Sequence, residues 1–211
     1  MLSLRLAAAL TAVIGALLFA ASTAHAIDAV SVRLDASAID LTDAAERLRT
    51  EGDRVQVSTA PGTDGIVRRI EVRAREGGNN WVVFALANNG DEQIDRLIVV
   101  PYYRLVDSGI FWPDLGLSRV VNITPSSGER PERQQSATAD VFRVTLDPGS
   151  INTYVAELRT DRLPQLYLWE PDAYKDKINS FTLYYGIVIG IAGLLALFLT
   201  ILFVVKGRVM F

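Results

Sequence analysis

Cysteine is absent from this 211-residue chain, and histidine occurs once, at His25. The first absence excludes a disulfide framework, a thiolate nucleophile and a cysteine-based zinc site; the second leaves a metal little but carboxylates to bind. Acidic residues are missing before Asp28 and after Asp176, and no charge of either sign occurs from Phe181 to Val205. No G-x-S-x-G, P-loop or dinucleotide-binding pattern is present. The acidic groupings that do exist, Asp91-Glu92 with Asp95 and the set Asp35, Asp40, Asp43, do not match a calcium loop and read as solvated surface. No metal, cofactor or catalytic residue is expected. Nucleic acid is also disfavoured. Between Asp28 and Lys177, 18 basic residues stand against all 24 acidic ones, whereas phosphate binding needs a basic surplus.

The charge-free run 181–205 (FTLYYGIVIGIAGLLALFLTILFVV) is long enough to cross the roughly 30 Å hydrocarbon core of a bilayer as a helix. Tyr184 and Tyr185 stand at its upstream edge, where amphipathic rings favour the headgroup region. The lipid bilayer is therefore the first expected partner. Residues 1–26 read as a secretory signal: Arg5 supplies the positive end, Leu6 to Ala21 the apolar stretch, and Ala24-His25-Ala26 a small-x-small cleavage site. An uncleaved anchor is the rival reading. Either form places residues 27–180 outside the cytoplasm and 206–211 inside, with Lys206 and Arg208 on the inner side.

The exported middle, 27–172, has the patterning of a β domain, followed by a connector over 173–180. Ile70, Val72 and Ala74 alternate with charged neighbours, and WVVFALA (81–87) follows as a strand buried on both faces; the two are expected to pair as a hairpin. Further strands are expected over 94–103, ending at an edge near Pro101, and over 109–112, 119–123, 139–146, 152–158 and 165–169. Asp147-Pro148-Gly149-Ser150 is a turn signal. Residues 42–50 carry the only helical signature, with Thr42 as cap and Gly52 as stop. Residues 124–136 read as a long exposed loop. Short strands separated by frequent turn signals predict a mainly β fold, a sandwich of jelly-roll type followed by one transmembrane helix.

The Trp81–Asn88 strand, the Pro148-Gly149 turn between two late strands, and the stretch LYLWEPDAYKDK running into a membrane helix carry a resemblance. Over 67–205 the chain resembles the extracytoplasmic sensor region of bacterial seven-transmembrane receptors with diverse intracellular signalling modules. That resemblance implies a galactose-binding-like jelly roll that senses a small, often carbohydrate, ligand. It further implies seven helices relaying to an output, commonly GGDEF and EAL domains acting on cyclic-di-GMP, or a histidine kinase. One spanning helix and an end at Phe211 depart from that plan, so the chain reads as part of a longer receptor or a truncated product. Within this chain no enzyme is expected.

For the ligand, Trp112 in GIFWPD is the best candidate for an exposed aromatic platform, because indole faces stack on sugar faces. Tyr102, Tyr103 and Arg104, with Asp107, have the residue types of a polar site, although a satisfied edge strand explains them equally. Trp81 reads as core; Trp169 reads as either an interfacial anchor or packing beneath the sandwich. In the helix, Gly186, Gly190 and Gly193 form a small-residue face on which another helix could close, in a homodimer or among further helices of a parent receptor. The alternative to a ligand sensor is a β-sandwich that docks a protein partner without any small ligand.

Overall fold

The computed structural model describes residues 26–105, 111–113, 119–161 and 165–209. The signal sequence through His25, with its Ala24 cleavage position, lies outside the described residues.

A strand that is apolar on both faces needs a layer on each side, and that requirement organises the fold. Strand β6 (Asn80–Ala87) is buried along almost its whole length. It pairs antiparallel with β13 (Ile151–Leu158), from Ile151 opposite Ala87 to Leu158 opposite Asn80. Its other edge is shared by β1 (Ala29–Ser31), parallel, and β3 (Glu46–Arg49), antiparallel. Strand β10 (Val120–Pro125) completes this first sheet on β13. The second sheet runs β11 (Glu132–Gln134), β12 (Ala139–Leu146), β7 (Ile94–Pro101), β14 (Tyr167–Trp169) and β2 (Ala38–Asp40).

Because side chains alternate across a strand, β6 presents Val82, Phe84 and Leu86 to the second sheet. There they meet Ile98, Val100, Phe142, Val144 and Leu168 in one continuous core. Phe84 stacks on Tyr154, its cross-strand partner, with ring centroids 5.4 Å apart. The opposite set, Trp81, Val83 and Ala85, is covered by a separate hairpin of β4 (Arg54–Ser58) and β5 (Arg69–Arg73) through Val55, Val57 and Val72. The architecture is mainly β, two open five-stranded sheets face to face with a hairpin laid on the first.

Four expectations change. Residues 69–73 pair back to β4 rather than forward to β6, both of whose edges are taken. Residues 42–50 are not helical: 46–49 form β3, and Thr42 accepts the Leu166 N–H at 3.1 Å instead of capping a helix. A nine-residue helix is marginal in isolation, whereas β3 gains ladder bonds to β6 and the Trp81 indole N–H donates to Thr50 Oγ1 at 3.2 Å. Pro101 ends an internal strand, not an edge. The partner β14 stops opposite Val99, so the missing Pro101 N–H interrupts no ladder on that side. Finally, the 124–136 stretch contains β11, a short edge strand on β12.

Helix α1 (Pro171–Val209) is unbroken for 39 residues, about 58 Å at 1.5 Å per residue. The Glu170 carboxylate caps it, accepting N–H bonds from Asp172 (3.2 Å) and Ala173 (2.7 Å), and Pro171 occupies the first position, where a missing donor costs nothing. The 173–180 connector is helical throughout. From Phe181 to Val205 the large apolar side chains on every side are about half exposed or more, with no protein covering them. A helix apolar all round and uncovered is suited to lipid.

Candidate functional site

Three places on the β domain gather polar or aromatic groups. The first holds the residues expected from sequence. Tyr103 and Arg104 lie on β8 (Tyr103–Leu105), which pairs antiparallel with β9 (Phe111–Pro113) so that Arg104 faces Trp112 in register. Asp107 lies outside the described residues. Tyr102, at the foot of this small hairpin, donates its hydroxyl to Asp140 Oδ1 at 3.0 Å. Asp140, on β12, has a fully buried side chain. Its Oδ2 accepts the N–H groups of Arg119 (2.7 Å) and Val120 (3.1 Å), and its Oδ1 also takes a 2.5 Å bond from the Arg133 guanidinium. A buried carboxylate survives only with such partners. With its oxygens taken up in this way, Asp140 ties the hairpin base to β10 and β11 and is not placed to act as a base.

The second place is a polar groove of about 480 Å³ at one end of the second sheet, lined among others by Gln93, Asp95, Glu129, Arg143, Thr145 and Asp147. Asp95 accepts from Thr145 Oγ1 (2.6 Å) and Arg143 (2.5 Å), and these bonds hold its carboxyl below the usual carboxylate range. Gln93 donates to Asp147 Oδ1 at 2.8 Å. Burial pushes the Tyr154 phenol, on the groove's inner side, well above its ordinary pKa. The donors and acceptors of the groove pair with one another. Among the described residues no three of His, Asp or Glu gather at metal-binding distance.

The third place lies between the outer face of the second sheet and the first turns of α1. Leu97, Val99, Ala139 and Val141 form a small apolar cluster with Trp169 and Tyr174. Trp169 therefore packs beneath the sandwich. Its ring lies 6.1 Å from that of Tyr174, tilted by 55°, and the Lys177 ammonium sits 4.4 Å above it. Lys177 is exposed as a residue, yet packing around its amine lowers its pKa. Beside these rings is a cleft of about 430 Å³ that reaches from Val99 and Pro101 to Ile178 and Phe181.

The β domain leads into the residue that caps α1, and residues 74–170 match the family 7TMR-DISM extracellular 2. Over this segment the chain is similar to 7TMR-DISM extracellular domains. No curated protein and no solved structure matches the chain. The 7TMR-DISM domain is of sensor type rather than catalytic, and with one membrane-capable helix after it the chain fits the sensor region of a seven-transmembrane receptor. It is thus membrane-anchored, with its β domain outside the cytoplasm.

Within the matched segment, the residues that sequence reasoning passed over are buried polar ones. Asn88, which ends the Trp81 strand, donates from Nδ2 to the carbonyls of Glu92 (2.7 Å) and Leu146 (3.0 Å) and accepts the Gly90 N–H (3.0 Å). It locks one turn to the end of β12. Glu157, inside β13, accepts N–H bonds from Arg75 (2.7 Å), Glu76 (3.2 Å) and Gly78 (3.3 Å), closing the turn ahead of β6. The only signal available beforehand is a polar residue inside an otherwise apolar strand.

Proposed function

We propose that this chain is the sensor module of a bacterial signalling receptor, held at the inner membrane with residues 27–180 in the periplasm. It binds a small, carbohydrate-like ligand and relays the event through α1. In a longer parent protein the output is cyclic-di-GMP synthesis or breakdown by GGDEF or EAL domains, or a kinase. The observation that carries this reading is mechanical. The outer face of the sensor sheet packs on Trp169 and Tyr174, and the helix that begins there continues unbroken into the apolar span. A ligand shifts such a device only by its difference in affinity between two arrangements, so a stiff connection favours transmission. For the ligand we assign Tyr102, Tyr103, Arg104, Asp107 and Trp112 first, and the groove over Asp95 and Arg143 second.

Calorimetry of the full chain in nanodiscs against a panel of mono- and oligosaccharides tests this. Saturable heat that Trp112→Ala abolishes is the expected result; silence across the panel turns the reading to the alternative, a β-sandwich that docks a protein partner. A related expectation concerns the helix. Gly186, Gly190 and Gly193 have nothing within 4 Å of where a Cβ would stand, so this small-residue face is open to a second helix. Gly190→Leu is expected to cut self-association severalfold in a membrane two-hybrid assay, and an unchanged signal removes the idea.

A further inference from the structure

The cleft between the second sheet and α1 differs in chemistry from the site proposed for a polar ligand. Its walls are mainly apolar and aromatic surface, from Val99, Pro101, Ile178 and Phe181 and the rings of Tyr167 and Trp169, with the polar side chains of Thr138, Gln165, Lys177 and Ser180 at its border. At about 430 Å³ the cleft is within the range of sites that bury small organic ligands. Phe181 lines it and also opens the apolar run 181–205, so the apolar wall continues toward the bilayer. Lys177 stands one helical turn earlier, on the aqueous side of the Tyr184-Tyr185 edge. Its ammonium rests on the Trp169 ring, and among the described residues no carboxylate forms a salt bridge with it.

We infer that this cleft binds a single-chain anionic lipid from the adjoining leaflet, its acyl chain against Val99, Ile178 and Phe181 and its anionic head on Lys177. An acyl chain entering from the bilayer leaves one apolar environment for another. The head supplies the counter-charge that the aromatic ring only partly replaces. Such a lipid sits between the sensor sheet and the start of the helix, where its presence bears on their contact whatever the polar ligand does. This inference is independent of the carbohydrate reading.

The test uses the full chain in zwitterionic nanodiscs with a diazirine-bearing fatty acid as photoprobe, followed by peptide mapping. Saturable labelling concentrated in 165–181 and displaced by palmitate is expected. Lys177→Gln should raise the palmitate needed for half-displacement about tenfold. Ser180→Trp, an exposed position at the cleft that can be filled without disturbing the sandwich, should remove the labelling. Label spread evenly along 181–205 overturns the proposal. So does equal displacement by hexadecanol together with no effect of Lys177→Gln, or displacement by inorganic phosphate alone. Chain-to-chain crosslinks through the cleft would assign it to a second copy instead and likewise overturn it.

Discussion

Asp140→Ala is expected to lower the unfolding free energy by about 3–5 kcal/mol, the range seen when one partner of a buried ionic cluster is removed. The side chain is fully buried, and groups from three parts of the chain converge on it: two backbone N–H groups at the start of β10, the Tyr102 hydroxyl and the Arg133 guanidinium. Alanine leaves the two buried N–H donors without their acceptor in a place water reaches poorly, while the half-exposed Arg133 guanidinium turns to solvent. Asp140→Asn should lose less, because one carbonyl oxygen remains. Asp95→Ala is the surface control. Its ion pair with Arg143 is partly exposed on both sides, and such pairs contribute about 1 kcal/mol or less. Thermal unfolding of the full chain in detergent, followed by circular dichroism, makes the comparison. Equal losses for Asp140→Ala and Asp95→Ala would contradict the buried-knot account.

Phe84→Ala should cost a similar amount, about 3–5 kcal/mol, for a different reason. Phe84 has no exposed surface, lies in the core shared by the two sheets and stacks on Tyr154. Removing the ring takes away its transfer free energy and leaves a void that ladder-bonded strands on either side cannot close. The guanidinium midpoint should fall while the slope stays constant. A loss below about 1.5 kcal/mol would mean that the sheets collapse around the gap, and that the inter-sheet layer is softer than its packing implies.

What could be read from the residues follows from the range of the forces involved. Strands β6, β12 and β13, the Asp147–Ser150 turn and α1 were legible, because apolar runs, alternation and turn chemistry act within a few residues. The 42–50 segment was misread for the converse reason. Thr42, Glu46 and Gly52 make a good local helix pattern, but the competing bonds come from β6 and from Leu166, 124 residues beyond Thr42. The placing of β5 failed similarly, since β4 and β5 together form a layer that no local signal announces. Of the expected ligand residues, Tyr102 is bonded to a carboxylate 38 residues later, and Arg104 and Trp112 face each other across a hairpin. The buried acids Asp140 and Glu157 and the aromatic contact of Trp169 with Lys177 depend on tertiary neighbours or helix phase, and a linear reading has little access to either.

The angular phase of α1 has a consequence for assembly. At about 100° per residue, Tyr174, Lys177, Ile178 and Phe181 cluster on one flank, while Gly186, Gly190 and Gly193 come out roughly 130–140° further round. Two copies crossing at their glycines would therefore stand back to back, each carrying its β domain outward. In such a pair the mouths beneath the sandwiches would open toward the surrounding leaflet, away from the dimer seam.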